Sequence, residues 1–107
     1  MANLPALDGA DLSAADPALA PLMDRIEKNV ALPAGASPLA GYTRFYGWAD
    51  KPRGKVTAIY LHRGTPVRKW VAFDDLPAIL GGGCSVIELV YDVNDGKTDE
   101  IGCNGAR

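Results

Sequence analysis

Two cysteines at the ends of a predicted β-hairpin constrain the fold of this chain most strongly. Cys84 precedes the most strand-like run of the sequence, residues 85–91, and Cys103 follows a second run, residues 97–102. Asn94-Asp95-Gly96 lies between the runs and is a strong hairpin-turn signal. Such a hairpin folds Cys84 back towards Cys103. We therefore predict a disulfide, with a bulge or the glycine-rich lead-in to the first run absorbing an offset of a few residues.

The two other uses of a cysteine pair fit the sequence less well. A structural zinc site needs about four protein ligands, and this chain has two cysteines and one histidine. A reactive thiol needs a base or a cation that lowers its pKa, and the one histidine, His62, falls in a different predicted strand. The sequence thus favours a structural disulfide, and we predict neither a metal site nor a cofactor.

The disulfide and the overall charge bear on location and partners. Because disulfides persist in oxidising compartments, we predict a periplasmic or secreted protein whose targeting segment has been removed. A lipid-attachment site upstream of Met1 stays open. No apolar run approaches the ~20 residues that span a bilayer, so no membrane span is predicted. The formal net charge of −2 argues against a nucleic-acid partner.

The 107 residues are organised as one domain, residues 16–107, after a flexible lead-in of residues 1–15. A helix is predicted from an Asp16 cap, or from Ala20 if Pro21 delays it, to Asn29. Apolar residues then recur at spacings of three and four, as in an amphipathic helix: Leu19, Leu22, Met23, Ile26 and Val30.

The period changes to two after the helix, which indicates strands. Residues 42–48, 55–63 and 67–73 are predicted strands, and their short links favour antiparallel pairing. Residues 74–81 resemble a short helical turn with an Asp cap and a closing glycine. We therefore predict an α+β fold: one N-terminal helix packed on a curved antiparallel sheet of about five strands, with a helical turn between strands 3 and 4.

Alternation in the first three strands places aromatic rings and arginines on one face of the sheet. Aromatic side chains beside Arg are enriched at interface hot spots, and a sheet covered on one side leaves its other face open. This face is therefore the predicted binding surface, although the rings could instead pack among themselves and under the N-terminal lead-in: Tyr42, Arg44, Tyr46, Trp48, Tyr60, His62, Arg68 and Trp70. The opposite face is predicted to lie under the helix: Phe45, Ile59, Leu61, Val71, Phe73, Ile87 and Leu89.

Two functions follow from this arrangement. The first is a non-enzymatic, exported binding domain that uses the aromatic and Arg face against a protein partner or a second copy of the chain. The alternative is a small ligand-binding protein or hydrolase with a pocket between helix and sheet. In that pocket His62 would act as a general base with a carboxylate such as Glu88.

Overall fold

A computed structural model describes residues 19–49, 54–79 and 81–104 of the chain. It confirms the predicted α+β class, with one helix, five strands and a short helical turn between the third and fourth strands. The lead-in (residues 1–15), the Asp16 cap and most of the first predicted turn lie outside the described residues. The elements are α1 (Leu19–Asn29), β1 (Thr43–Trp48), β2 (Lys55–Leu61), β3 (Arg68–Trp70), β4 (Gly83–Asp92), β5 (Lys97–Asn104) and 3-10 turns at Leu39–Gly41 and Phe73–Asp75.

α1 is an amphipathic helix of 11 residues. Its buried stripe consists of Leu19, Leu22, Met23 and Ile26, which lie on one side because they are spaced three and four apart. Pro21 is tolerated because it falls in the first turn, where backbone N–H groups have no partner within the helix. Within the part of the chain that the structure describes, no helix is long and apolar enough to span a membrane.

The sheet has the strand order β3-β1-β2-β4-β5. Three of its pairings are antiparallel, as predicted, but β3 lies parallel to β1 at the outer edge. β3 cannot pair with β2 because β1 and β4 already occupy both sides of that strand. The loop between β2 and β3 crosses the start of β1. There the Thr43 Oγ1 lies 3.1 Å from the Arg63 carbonyl oxygen and 3.0 Å from the Thr65 carbonyl oxygen.

The two faces of the sheet have different covers. α1 packs on one of them, which we call the helix face. Its core contains Tyr42, Tyr46, Val56, Ala58, Tyr60, Trp70, Ile87, Leu89 and Tyr91. The intervening residues point to the opposite side, the outer face, where a second cluster of Ile59, Leu61 and Val86 is buried.

The segment of residues 71–79 covers mainly the β1–β2 half of the outer face, and at one end it also meets Val86 of β4 and the Asn104 side chain of β5. Its Leu76 and Ile79 pack against the second cluster. The segment runs so close to β1 that a Cβ on Gly47 would lie 2.7 Å from the Val71 carbonyl oxygen, so only glycine fits there. The β4–β5 half of the outer face has no such cover among the described residues.

The predicted disulfide between Cys84 and Cys103 is confirmed, with the two Cα atoms 4.5 Å apart. Gly83 pairs with Asn104 and Ile87 with Cys103, so three residues of β4 have no counterpart in β5. A bulge in β4 thus absorbs the offset between the cysteines. At the other end of the hairpin the Asp95 N–H donates to Asp92 Oδ1 at 2.9 Å, which stabilises the turn.

Candidate functional site

The aromatic side chains predicted to form an open binding face are buried under α1. Tyr42, Tyr46 and Tyr60 have no exposed surface, and Trp70 is 1% exposed. Trp48 is half-buried and packs against this core. The prediction that the helix covers the opposite face is therefore wrong for the first three strands, although Ile87 and Leu89 of the fourth strand do lie under α1 as predicted. The physical reason is that large rings offer the most apolar area to remove from water, so the helix packs where they are.

The rings pack closely with one another, which was the alternative that the sequence left open. Tyr46 and Trp70 are nearly parallel, with centroids 6.4 Å apart, and Trp48 meets Trp70 edge-on at 5.5 Å. Tyr60 meets Tyr46 at 5.8 Å, also edge-on. The cluster joins the edge strand β3 to the centre of the sheet, so these rings stabilise the fold, and of those in the cluster Trp48 alone is partly exposed.

The two arginines of the predicted face pair with acids on α1. Arg44 Nε donates to Glu27 Oε2 at 3.0 Å, and the Tyr46 hydroxyl donates to the same oxygen at 2.6 Å. Arg68 Nη1 donates to Asp24 Oδ1 at 2.7 Å and lies 3.7 Å from Glu27 Oε1. Their charges are thereby matched at the border between helix and sheet.

Burial fixes the protonation of the two central tyrosines. It is the largest cause that raises the pKa of both Tyr46 and Tyr60 above the ordinary value. Their hydroxyl oxygens are 2.9 Å apart. Because Tyr46 gives its one proton to Glu27, Tyr60 is the donor in the bond between the two tyrosines. Both hydroxyls therefore act as structural hydrogen-bond donors at neutral pH.

These raised pKa values predict a loss of stability in alkali. In the unfolded chain a tyrosine ionises near pH 10, whereas the folded state holds Tyr46 and Tyr60 protonated. The unfolded state alone then loses protons, so stability is complete below pH 10 and falls as the pH rises above it. We expect a slope of about 1.4 kcal/mol per pH unit for each tyrosine. Urea unfolding between pH 9 and 11.5 measures this dependence of the unfolding free energy on pH. The slope should be shallower for the Tyr46→Phe variant than for the wild type. Equal slopes would contradict the conclusion that Tyr46 stays protonated in the folded state.

His62 does not form the predicted pocket with Glu88. The imidazole is exposed and packs on Tyr42, with ring centroids 5.0 Å apart, so it lies on the helix side of the sheet. Glu88 pairs with Ile59 and points to the outer face. The alternation of the strand thus separates the two side chains by the thickness of the sheet. The predicted acid–base pair is wrong for this physical reason.

The disulfide lies beneath the loop that follows α1. Cys84 Sγ is 3.6 Å from the carbonyl oxygen of Ala34. The Tyr42 hydroxyl donates to the Cys84 carbonyl oxygen at 2.7 Å and accepts a bond from the Ser37 N–H at 3.1 Å. One buried tyrosine therefore ties the loop to the disulfide-bonded end of the hairpin, which indicates a structural role for the bond.

The open half of the outer face contains a groove with a volume of about 300 Å³. Glu88 is directly opposite Gly102, and Val90 is opposite Glu100, so the two glutamates are diagonal neighbours on one face. Gly102 forms the floor, where an added Cβ would meet nothing within 4 Å. We call this site the outer groove and define it by the side chains and the glycine on that face: Thr57, Glu88, Val90, Glu100, Gly102 and Asn104.

The outer groove is acidic. Its two charged residues are Glu88 and Glu100, and neither forms an ion pair with another described residue. The nearby Lys55 is already engaged: its ammonium donates to Asp99 at 2.6 Å, and this bond is the largest cause that raises the pKa of Lys55. One end of the groove is closed by the Asn104 side-chain amide, which donates to the Ile79 carbonyl oxygen. The groove therefore combines a negative potential with a fixed shape.

The sequence contained part of the information needed to find this groove. The Asn94-Asp95-Gly96 turn pairs residue 88 with a position near 102, so the stretch of β5 beside Glu88 could be predicted. A hairpin that continued the Asp92–Lys97 pairing without a shift would, however, set Glu100 opposite Leu89, on the helix face. The sequence did not predict the second register shift of the β4–β5 hairpin, which lies between Val90 and Tyr91. It changes which residues of β5 face outwards.

The functional groups of the outer groove are two carboxylates, a hydroxyl and an amide. Within residues 19–49, 54–79 and 81–104, no group of three or more acidic, histidine or cysteine side chains could hold a metal ion. The outer groove offers two carboxylates, one hydroxyl and one valine along a flat floor. Comparison of the chain with known protein families, with curated proteins and with solved structures finds no match.

Proposed function

We propose that the protein is an exported interaction domain that binds a protein partner at the outer groove. The observation that carries the proposal is the unequal cover of the outer face. Residues 71–79 protect the apolar β1–β2 half, while the β4–β5 half keeps an open groove beside the last strand of the sheet. A surface of this kind, at the border of a sheet, suits a partner that lies along the strands.

The disulfide supports the exported location. Cys84 and Cys103 are joined in a small domain whose two core clusters lie on either side of a single sheet. Bonds of this kind form and persist in the periplasm or outside the cell. An exported domain that holds its hairpin covalently can keep a binding edge ordered without a large core.

The arrangement of the ionisable groups favours binding over catalysis. The tyrosines hold their protons firmly because they are buried. His62 and Glu88 lie on opposite faces of the sheet. General acid–base chemistry needs such groups within hydrogen-bond reach of one substrate atom, and a pair on opposite faces does not meet that condition.

A blocking substitution at Gly102 tests the proposal. The φ angle of Gly102 is outside the positive range and a Cβ has free space there, so Gly102→Trp should fill the groove without disturbing the fold. Ala31→Trp, at an exposed position beyond α1, is the matched control. The tagged chain is expressed in the cells that produce it, crosslinked and purified, and the bound proteins are quantified by mass spectrometry.

We expect one partner to be recovered equally with the wild type and with Ala31→Trp. Its recovery should fall about tenfold with Gly102→Trp, which corresponds to a loss of about 1.4 kcal/mol in binding free energy. Recovery of the same proteins in the same amounts with all three chains would show that the outer groove is not the binding surface.

A further inference from the structure

We propose that the partner segment is a basic, extended strand that pairs with the free edge of β5 and places a Lys or Arg side chain across Gly102 against Glu88. This inference rests on the proposed function and specifies the chemistry of its partner. It follows from three features of the last hairpin: a strand edge that no described strand pairs with, a glycine floor and two glutamates that form no ion pair within the described residues.

The outer edge of β5 is available for pairing. β5 is the last strand in the order of the sheet, and no other strand of the described chain lies beyond it. Its start is closed to a partner, because the Thr98 N–H points away from β4 and donates to Asn29 Oδ1 of α1 at 2.9 Å. The second half of β5 has no such cap among the described residues. An edge of this type is a template for a further strand.

The groove lies beside the same half of β5. A strand added there would alternate its side chains between the two faces, and every second one would stand over the outer groove. Gly102 has no side chain, so a long side chain on the added strand can cross it towards Glu88, which is directly opposite on β4. Two strand spacings, about 10 Å in total, separate the added strand from β4. An extended Lys or Arg side chain and the glutamate together cover that distance.

Charge complementarity favours a basic partner. Both charged side chains of the groove are glutamates, and Lys55, the cation near them, is bound to Asp99. A second copy of this chain would instead bring its own Asp99 and Glu100 towards the same strand. Like charges on neighbouring strands destabilise their pairing. A different protein with Lys or Arg at alternate positions matches the groove, and a second copy does not.

A synthetic peptide series tests the inference on the intact protein. The probe is an acetylated and amidated eight-residue peptide that alternates Lys and Thr, and the control alternates Glu and Thr. A third peptide has the Lys–Thr sequence with every backbone nitrogen methylated, which keeps its charge and removes its N–H donors. Binding is measured by NMR titration of the isotope-labelled protein, and near-ultraviolet circular dichroism checks the fold of each variant.

The Lys–Thr peptide should shift the amide resonances of Ile101, Gly102 and Cys103, and the Glu–Thr and N-methylated peptides should not. The double substitution Glu88→Gln with Glu100→Gln should weaken binding about tenfold, as expected for the loss of two partly exposed charge pairs. Asp74→Gln with Asp75→Gln, on the exposed 3-10 turn, is the matched control and should leave the affinity unchanged.

Two results would overturn the inference. Equal binding of the N-methylated peptide would exclude strand addition, and equal binding to the Glu88→Gln, Glu100→Gln variant would exclude recognition by the groove. The outcome is separable from that of the crosslinking experiment. If the Gly102→Trp variant loses its partner but the Lys–Thr peptide does not bind the wild type, the groove is the interaction surface and the inference of a basic strand is wrong. If the Gly102→Trp variant keeps every partner, the proposed function is wrong as well.

Discussion

Replacing Trp70 by alanine should destabilise the protein by about 3–5 kcal/mol, the usual cost of removing a fully buried tryptophan from a core. Trp70 is 1% exposed and lies between Tyr46 and Trp48. The cavity would open at the junction of β1 and β3, where three residue pairs hold the short strand. Because small domains have about 5–15 kcal/mol of stability in total, this single change should bring the protein close to unfolding at 37 °C.

Urea unfolding followed by far-ultraviolet circular dichroism measures this effect. Phe73→Ala is the matched control, because the Phe73 ring is 47% exposed and its truncation should change stability by less than about 1 kcal/mol. A Trp70→Ala protein within about 1 kcal/mol of the wild type would mean that the ring is not part of the core. It would then be available for binding, as the sequence alone suggested.

Removing the disulfide should cost about 3 kcal/mol, the value expected for a closed loop of about 20 residues. Cys84 and Cys103 are 19 residues apart, and the bond closes the hairpin at the point where three residues of β4 have no partner in β5. Without it, the bulge leaves few backbone contacts to hold the end of the hairpin together. The loss of free energy should therefore appear with a loss of local order near Gly83 and Asn104.

The double variant Cys84→Ala with Cys103→Ala should match the wild type under reducing conditions, in both unfolding midpoint and amide protection of β5. The oxidised wild type should be more stable than either. If reduction leaves the midpoint unchanged, the bond does not stabilise the fold. The structural role assigned to the bond would then be wrong.

The sequence predicted the elements more accurately than their arrangement. The helix, the Asn94-Asp95-Gly96 turn and the cysteine pair depend on residues close in sequence or on one hairpin, and each has a local signature. The parallel pairing of β3 with β1 depends on which side of β2 is already occupied. That is a property of the complete sheet, and no local pattern encodes it.

The sequence did not predict which face of the sheet α1 covers, and the reason is a different one. In β2 both faces are apolar: Val56, Ala58 and Tyr60 alternate with Ile59 and Leu61. Alternation therefore shows which residues share a face of the sheet, but it does not show which of the two faces the helix covers. The arginines beside the aromatic rings suggested an exposed face, whereas their partners, Asp24 and Glu27, lie on α1 and become neighbours only after the helix packs.

The last strand is fastened near both of its ends, by Asn29 at Thr98 and by the sulfur bridge at Cys103. A strand held in this way resists fraying, so for the partner proposed above its outer edge is already in the extended conformation that pairing requires. The ordering entropy of association then falls mainly on the partner. The ordered edge of β5 should therefore favour partner segments that are already extended before they bind.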